Sequence, residues 1–470
     1  MGWRGVFLAL ALGLAAPAAA QAPLGDRVEA KLREAGAGTR FGLVVATEDG
    51  RELVAIAPEA RFIPASNTKM FTTAAAFHEM AGLDAPDVEA GAAVRLEGGR
   101  RPDVILEGRG DARLSSAPDC VSDCLAALAD AVARRTRRVR NVVGDDTLFL
   151  DQRWSPGMSW NNIPTRSGTA ISALTLDDNE LRLTVSAGPP GGGAKLDHSG
   201  YFQIDNRVVT VAGGETDLDY YRMPGSRRLL LTGTIAEGAE PQTLRLGIDD
   251  PAHYAAWRLK ALLEARGVRV SGIVAARHRA PALPRATASG EPLARASPPS
   301  LVDDVSTINK ASQNLHAELL LRRLGLKRGS GSIEDGIAAL RSMLETAGLA
   351  RTQYDFSDGS GMSTYNRLAP RGVVRFLGWA SAQPWGRRWR ETLPVAGVDG
   401  TLANRFRGTP LEGRLFAKTG SLNATSALSG YMVAKSGRTL LFSIFANDIP
   451  EGQSAQPVMD SALVLIASEN

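Results

Sequence analysis

Strand-like runs stand near both ends of the chain, and this pattern constrains the fold more than any other feature of the sequence. Near the start, residues 41–56 (FGLVVATEDGRELVAI) predict two strands joined by a turn. Near the end, residues 413–420, 426–434 and 438–448 predict three more strands, and Lys435-Ser436-Gly437 marks a hairpin. We therefore expect both ends to join in one antiparallel sheet, with helices packed on it and a large insertion between them.

The character of the sequence changes between about residue 85 and residue 290. Short β-like runs and many glycines replace the helical periodicity that resumes in residues 314–326 and 333–348. A connector rich in Pro, Ala and Ser begins near residue 281. From these changes we expect three domains after a leader segment. They are a principal domain of residues 21–84 and 290–470, an inserted domain of residues 85–181 and 249–289, and a small β-rich domain of residues 182–248 nested in the second.

The first twenty residues have the pattern of a cleaved signal peptide. Arg4 precedes an apolar run, and Ala18-Ala19-Ala20 supplies the small-x-small cleavage pattern before Gln21. No later stretch approaches twenty uninterrupted apolar residues, so we expect no transmembrane anchor. We expect an exported protein of the periplasm of a Gram-negative cell, and secretion from a Gram-positive cell stays open.

Cysteine content and net charge exclude several classes of protein. The two cysteines, Cys120 and Cys124, are close in sequence, which in an exported protein predicts a local disulfide. Nothing near them supplies a third and a fourth metal ligand, so the sequence predicts no metal site. A net charge of +4 at pH 7 argues against a dedicated nucleic-acid-binding protein.

A serine and a lysine stand three positions apart where an apolar helical run begins, in PASNTKMFTTAAAF. Positions i and i+3 share a helix face, so Ser66 and Lys69 are expected to point the same way. Arginine holds its proton, so a reaction step that needs a neutral amine must use one of the eight lysines, and only Lys69 has this serine. Either Ser66 caps the helix and Lys69 reaches solvent, or Ser66 is a nucleophile and Lys69 its base.

Two further motifs follow in the order that one catalytic mechanism requires. Ser312-Gln313-Asn314 precedes a predicted helix, and Lys418-Thr419-Gly420-Ser421 ends a predicted strand. Each motif alone is typical of a turn or a strand end. Together with Ser66-x-x-Lys69 they form a three-part set with a shared acyl-transfer chemistry.

At this point the sequence resembles the penicillin-recognising serine enzymes. The interval from Ser66 to Ser312 is more than twice that from Ser312 to Lys418, which resembles the low-molecular-mass class C penicillin-binding proteins, the D-alanyl-D-alanine carboxypeptidase/endopeptidase family. Segments 108–116, 172–181, 357–370 and 393–402 are also similar to that family. One departure is Gln313, where the family often has aspartate.

The resemblance implies an α+β fold: a serine β-lactamase/transpeptidase-like domain, its antiparallel sheet flanked by helices, with a large inserted β-rich region forming one or two extra domains. It implies Ser66 as nucleophile, Lys69 as general base and Ser312 as the relay to the leaving amine. The backbone N–H groups of Ser66 and Ser421 would form the oxyanion hole. The substrate-binding residues that it implies are Asn314, Lys418, Thr419, Gly420 and Ser421.

The pKa of a free lysine, near ~10.4, is too high for a base at neutral pH. We expect burial, and the nearby charge of Lys418, to lower that of Lys69. The implied partners are peptidoglycan stem peptides and cross-links, with β-lactam antibiotics as covalent inhibitors, and no metal or organic cofactor is expected. Three alternatives stay open: a β-lactamase, a non-catalytic peptidoglycan-binding scaffold, and a different serine hydrolase.

Overall fold

The computed structural model describes residues 22–281, 283 and 290–470, and the predicted signal peptide, residues 1–20, lies outside this range. The α-helices in the described ranges are α1 (Leu24–Arg33), α2 (Thr68–Glu79), α3 (Leu125–Arg135), α4 (Pro251–Ala265), α5 (Leu301–Lys310), α6 (Asn314–Leu326), α7 (Ile333–Thr346), α8 (Pro370–Ser381), α9 (Gly386–Glu391) and α10 (Gln456–Glu469).

The strands of the same ranges fall into several sheets, of which the largest two have five strands each. In chain order they are β1 (Arg40–Thr47), β2 (Glu52–Ile56), β3 (Ala93–Glu97), β4 (Asp103–Glu107), β5 (Arg138–Val139), β6 (Val142–Asp145), β7 (Glu180–Ser186), β8 (Lys195–His198), β9 (Gln203–Asn206), β10 (Val209–Val211), β11 (Asp217–Tyr221), β12 (Arg228–Ala236), β13 (Gln242–Gly247), β14 (Arg269–Val270), β15 (Val274–Arg277), β16 (Ala294–Arg295), β17 (Tyr354–Asp355), β18 (Arg367–Leu368), β19 (Leu415–Leu422), β20 (Thr425–Val433) and β21 (Thr439–Asn447).

The central sheet draws its strands from both ends of the chain, as the sequence predicts. Its order is β19-β20-β21-β1-β2, and every neighbouring pair is antiparallel. Strand β1 pairs with β21 along its whole length, from Arg40 opposite Asn447 to Thr47 opposite Leu440. The last strand along one side of the sheet is β19, which carries the Lys-Thr-Gly motif.

Helices cover both faces of the central sheet. Successive side chains of a strand point to opposite faces, and in this sheet the side chains on both faces are apolar. Leu43 and Val45 pack into a core with α1 and α10, whereas Val44 and Ala46 pack into a second core with α2, α6, α7 and α8. This arrangement of an antiparallel sheet flanked by helices is the α+β fold that the resemblance implies. It places the start of α2 against the end of β19.

The inserted region between α2 and α5 is built on a second five-stranded sheet with the order β15-β6-β4-β3-β16. Strands β15, β6 and β4 run parallel, and α3 and α4 pack in the same core. Two smaller sheets follow, β13-β7-β8 and a sheet in which β12 pairs with β9, β10 and β11. Since Ala294–Arg295 pairs with β3, the inserted sheet extends beyond residue 289, and the division into three domains stays a prediction.

The expected disulfide is present between Cys120 and Cys124, in the loop that leads into α3. In the described part of the chain no helix is long and apolar enough to cross a membrane.

Candidate active site

Ser66 lies in the middle of a single 3₁₀ turn, Ala65–Asn67, that leads directly into α2. Ala65 has a φ of +46°, in the left-handed region that residues other than glycine seldom adopt. The residue that precedes α2 is Asn67, and no side chain caps this helix. Ser66 therefore does not serve as the helix cap, and its hydroxyl is available for other contacts.

Two glycines allow the neighbouring segments to approach this turn closely. A Cβ atom on Gly420 of β19 would lie 2.6 Å from the Pro64 carbonyl oxygen and 3.1 Å from the Ser66 nitrogen. A Cβ atom on Gly361 would collide with the carbonyl oxygen of Ala65. Across the same contact, Asn67 Nδ2 donates a hydrogen bond of 2.8 Å to the Lys418 carbonyl. The turn is thus held between β19 and the loop of residues 358–361.

Lys69 is fully buried, and its amine is the centre of the site. Nζ donates to Ser66 Oγ at 2.8 Å, to Asn314 Oδ1 at 2.7 Å and to the carbonyl oxygen of Ser360 at 2.6 Å. These three contacts match the three donors of an ammonium group. Lys69 therefore does not reach solvent, in contrast to the alternative in which it is a surface residue.

Burial lowers the pKa of Lys69 to about 7, against the opposing charges of Asp358 and Glu318. We expected the charge of Lys418 to contribute to this lowering, and it is not among its causes. Burial lowers the pKa of Lys69, and the effect of one lysine on the other is found at Lys418 instead. Its pKa is lowered well below the usual value by burial and by the charge of Lys69. Two buried amines thus lie in one site, and burial lowers the pKa of both.

Ser312 joins this pair of lysines from the connection between α5 and α6. Its φ of +58° lies in the left-handed region, and its Oγ accepts a hydrogen bond of 3.0 Å from Lys418 Nζ. Lys418 also donates to the carbonyl oxygen of Thr419 at 3.1 Å. The second motif is therefore connected to the third through Ser312 and Lys418.

Asn314 begins α6 and connects Lys69 to the inserted region. Its Oδ1 accepts from Lys69, and its Nδ2 donates to the carbonyl oxygen of Ser167 at 3.0 Å. Gln313 caps α6, because its Oε1 accepts from the backbone nitrogen of Leu315. Glutamine therefore supplies at this position the acceptor that an aspartate would offer to a helix start.

The rest of the Lys-Thr-Gly motif lies along β19 beside these groups. The hydroxyl of Thr419 contacts that of Thr401 at 2.7 Å, and Ser421 is exposed. The structure thus brings together the residues predicted for the site, and the cysteine pair is the one predicted feature that lies elsewhere. No group of three or more His, Cys, Asp and Glu residues is placed to hold a metal in residues 22–281, 283 and 290–470.

Sequence reasoning missed Glu318, a buried carboxylate behind Lys69. Its Oε1 accepts from the backbone nitrogens of Gly359 at 3.0 Å and Ser360 at 2.8 Å, and the carbonyl of Ser360 in turn accepts from Lys69. Burial and the nearby Asp358 raise its pKa to about 7. The available signal was spacing, since Glu318 follows Asn314 by four residues on α6 and shares its face.

A pocket with an empty volume of about 300 Å³ opens beside Asn314 and Ser360, two residues that contact Lys69. Trp154 and Met158 line it from the inserted region, whereas Asn314, Ser360 and Met362 line it from the principal domain. The inserted region therefore forms part of the wall of the site.

Comparison with known proteins gives one consistent result over nearly the whole chain. The D-Ala-D-Ala carboxypeptidase 3 (S13) family matches residues 24–470. A D-alanyl-D-alanine carboxypeptidase of Actinomadura sp. (strain R39) is 34% identical over 444 residues, which cover 90% of this chain and 80% of that protein. The D-alanyl-D-alanine carboxypeptidase DacB of Haemophilus influenzae is 25% identical over 439 residues, covering 91% of this chain and 89% of that one.

The fold has the same relatives. The crystal structure of penicillin binding protein 4 (dacB) from H. influenzae superposes with a TM-score of 0.80 at 22% identity, covering 93% of this chain and 98% of that one. A second crystal structure of that protein, complexed with a novel β-lactam, superposes with a TM-score of 0.75. The chain belongs to the D-Ala-D-Ala carboxypeptidase 3 (S13) family, and it is a serine-type D-alanyl-D-alanine carboxypeptidase.

Proposed function

We propose that Ser66, Lys69 and Ser312 cleave the terminal D-Ala-D-Ala bond of peptidoglycan stem peptides through an acyl-enzyme. The observation that carries this proposal is the 2.8 Å contact between Ser66 Oγ and the buried amine of Lys69, whose pKa is about 7. About half of this amine is neutral at neutral pH, so it accepts the hydroxyl proton of Ser66.

Acylation begins when Ser66 Oγ attacks the carbonyl carbon of the penultimate D-alanine. The new C–O bond forms as the hydroxyl proton moves to Lys69 Nζ, and negative charge develops on the carbonyl oxygen. The backbone N–H groups of Ser66 and Ser421 donate hydrogen bonds to this oxygen and stabilise its charge. One such donor typically lowers the energy of the transition state by ~3 kcal/mol. The close approach of Gly420 to the turn brings these two residues to the same place.

The C–N bond then breaks, and Ser312 Oγ gives its proton to the leaving amine. The proton that Lys69 took from Ser66 replaces it on Ser312, which leaves Lys69 neutral for the next step. The 3.0 Å contact with Lys418 orients the Ser312 hydroxyl for this transfer. Lys418, Thr419 and Ser421 bind the terminal carboxylate of the substrate. This carboxylate is an opposite charge beside Lys418, and it favours the charged form of that amine.

Water completes the reaction by attacking the acyl carbon, with Lys69 again as the base. The ester C–O bond breaks, Ser66 recovers its hydroxyl and the shortened peptide leaves. Asn314 holds Lys69 through Oδ1 throughout, and it also contacts the amide of the bound peptide. The same chemistry at a cross-link gives an endopeptidase, because the bond cleaved again follows a D-alanine carbonyl.

β-Lactams are proposed as covalent inhibitors of Ser66. A β-lactam carries its strained amide carbonyl and its carboxylate in an arrangement similar to that of the D-Ala-D-Ala end. The same residues therefore bind the antibiotic and the peptide. The H. influenzae protein has been crystallised with a β-lactam, which supports this part of the proposal by similarity.

The predicted signal peptide of residues 1–20 supports export to the periplasm, where the peptidoglycan substrate lies. The test of the proposed function is release of free D-alanine from an N-acylated D-Ala-D-Ala peptide. We expect release by the wild type and none by Ser66→Ala. Equal release by both proteins would refute Ser66 as the nucleophile.

A further inference from the structure

Four large apolar side chains, three of them from the inserted region, are exposed to solvent. Their exposed fractions are 57% for Trp160, 47% for Tyr221, 55% for Met223 and 61% for Tyr365. We call these four residues the aromatic strip. Single exposed apolar residues are common on protein surfaces, whereas a contiguous group marks a place where something binds.

Three of the four residues are in direct contact with one another, and the fourth contacts the segment that leads to Trp160. The rings of Trp160 and Tyr221 meet edge to face with their centres 6.4 Å apart, and Tyr221 Oη donates to Met223 Sδ at 2.6 Å. At the other end, Gly157 lies against the ring of Tyr365, since a Cβ atom on it would be 2.7 Å from Cγ of that ring. Trp160 follows Gly157 by three positions in the chain.

The aromatic strip is continuous with the wall of the active site. Trp154, Ser155 and Met158 line the pocket beside Lys69 just before the chain reaches Trp160, and Met362 lines it three positions before Tyr365. On the same segment, Ser167 accepts the hydrogen bond from Asn314. A ligand that leaves the pocket along these two segments therefore passes over the strip.

We propose that the aromatic strip binds the sugar rings of the glycan strand to which the peptide substrate is attached. A pyranose ring has an apolar face of C–H groups and a rim of hydroxyls, which complements exposed aromatic faces that carry polar tips, as Trp and Tyr do. A stem peptide of five residues spans at most about 17 Å. With its D-Ala-D-Ala end at Ser66, the peptide can therefore hold its sugar no farther than about this distance from the serine.

This inference rests on the proposed function for the identity of its ligand, but the strip can be tested without catalysis. In a Ser66→Ala background, cosedimentation with insoluble glycan strands stripped of peptide measures binding alone. Trp160→Ala and Tyr221→Ala each remove an exposed ring, and Trp160→Phe keeps an aromatic face. Ile273→Ala is the matched control, because Ile273 is an equally exposed apolar residue of the inserted region.

We expect Trp160→Ala to weaken binding to the peptide-free glycan about tenfold, the effect of losing one central aromatic contact. Tyr221→Ala should act in the same direction, whereas Trp160→Phe and Ile273→Ala should bind like the parent. Equal binding by all five proteins would overturn the proposal. Self-association of the parent that Trp160→Ala abolishes, with no glycan binding, would instead assign the strip to a second copy of the chain.

Kinetics separate this inference from the proposed function. The measured quantity is the ratio of kcat/KM for a disaccharide pentapeptide to kcat/KM for the free pentapeptide. Trp160→Ala should lower this ratio about tenfold, and Ile273→Ala should not change it. An unchanged ratio in Trp160→Ala overturns the role of the strip. If the wild type cleaves neither substrate, the proposed function fails, and cosedimentation still decides whether the strip binds glycan.

Discussion

Lowering the pH should switch off acylation by protonating the base. Below its pKa of about 7, the Lys69 amine carries a proton and cannot accept another from Ser66. The sign follows from burial, which disfavours the charged amine and so brings its deprotonation down to neutral pH. The acylation rate should therefore rise with pH on an acid limb whose midpoint lies near pH 7.

The magnitude follows from the two pKa values. With the ordinary value of 10.5, about one lysine in 3,000 is neutral at pH 7, whereas about half are neutral at a pKa of about 7. The shift corresponds to about 5 kcal/mol of differential stabilisation. Burial of Lys69 therefore supplies roughly a thousand times more active base at neutral pH.

The assay measures the second-order rate constant for acylation by benzylpenicillin. The pH is varied in steps of about one unit from about pH 5 to about pH 10, a range that includes both the lowered and the ordinary pKa of lysine. Tryptophan fluorescence at each pH serves as the control that the protein stays folded. We expect a fall of about tenfold per unit below about pH 6. A limb with its midpoint above about pH 9, or a rate that does not change with pH, would refute burial as the origin of the base.

Three further predictions test individual contacts. Glu318→Gln keeps the oxygen that accepts from the backbone of Gly359 and Ser360, but it removes a negative charge that raises the pKa of Lys69. The acid limb of the acylation rate should therefore move to lower pH. A limb that stays in place would contradict this coupling between Glu318 and Lys69. Gly420→Ala should slow acylation about 100-fold by pushing β19 away from the Ser66 turn, and an unchanged acylation rate would refute the close fit. Replacing both cysteines by serine should lower the free energy of unfolding by about 2 kcal/mol in denaturant titrations, because the disulfide is lost. The acylation rate should stay nearly unchanged, and a large loss of acylation would contradict the separation of the disulfide from the active site.

The local sequence was sufficient to predict the strands of the central sheet and some of the helices that border it, such as α2, but not α8. A strand with two apolar faces, such as β1, is a continuous apolar run, and this pattern predicts a strand that is covered on both faces. The Lys69 prediction rested on a similarly local signal, a serine three residues earlier at a helix start. The structure adds that Ser66 stands in a separate 3₁₀ turn before α2, a detail that the i, i+3 spacing does not distinguish.

The inserted region was less predictable because its sheet depends on pairings between segments far apart in the chain. Strand β16 has two residues, and composition assigned them to a connector, yet they pair with β3 some two hundred positions earlier. Glu318 escaped notice for a related reason. A glutamate on a helix is usually exposed, and only the tertiary contact with the 358–361 loop shows that it is buried behind Lys69.

The most direct test of the account is the intact mass of the wild type and of Ser66→Ala after brief incubation with benzylpenicillin. The account predicts a stable adduct of one equivalent on the wild type and no adduct on the variant. An adduct on Ser66→Ala would contradict Ser66 as the nucleophile. Rapid consumption of penicillin without a lasting adduct would contradict the proposal that β-lactams inhibit Ser66 covalently, and it would indicate a β-lactamase.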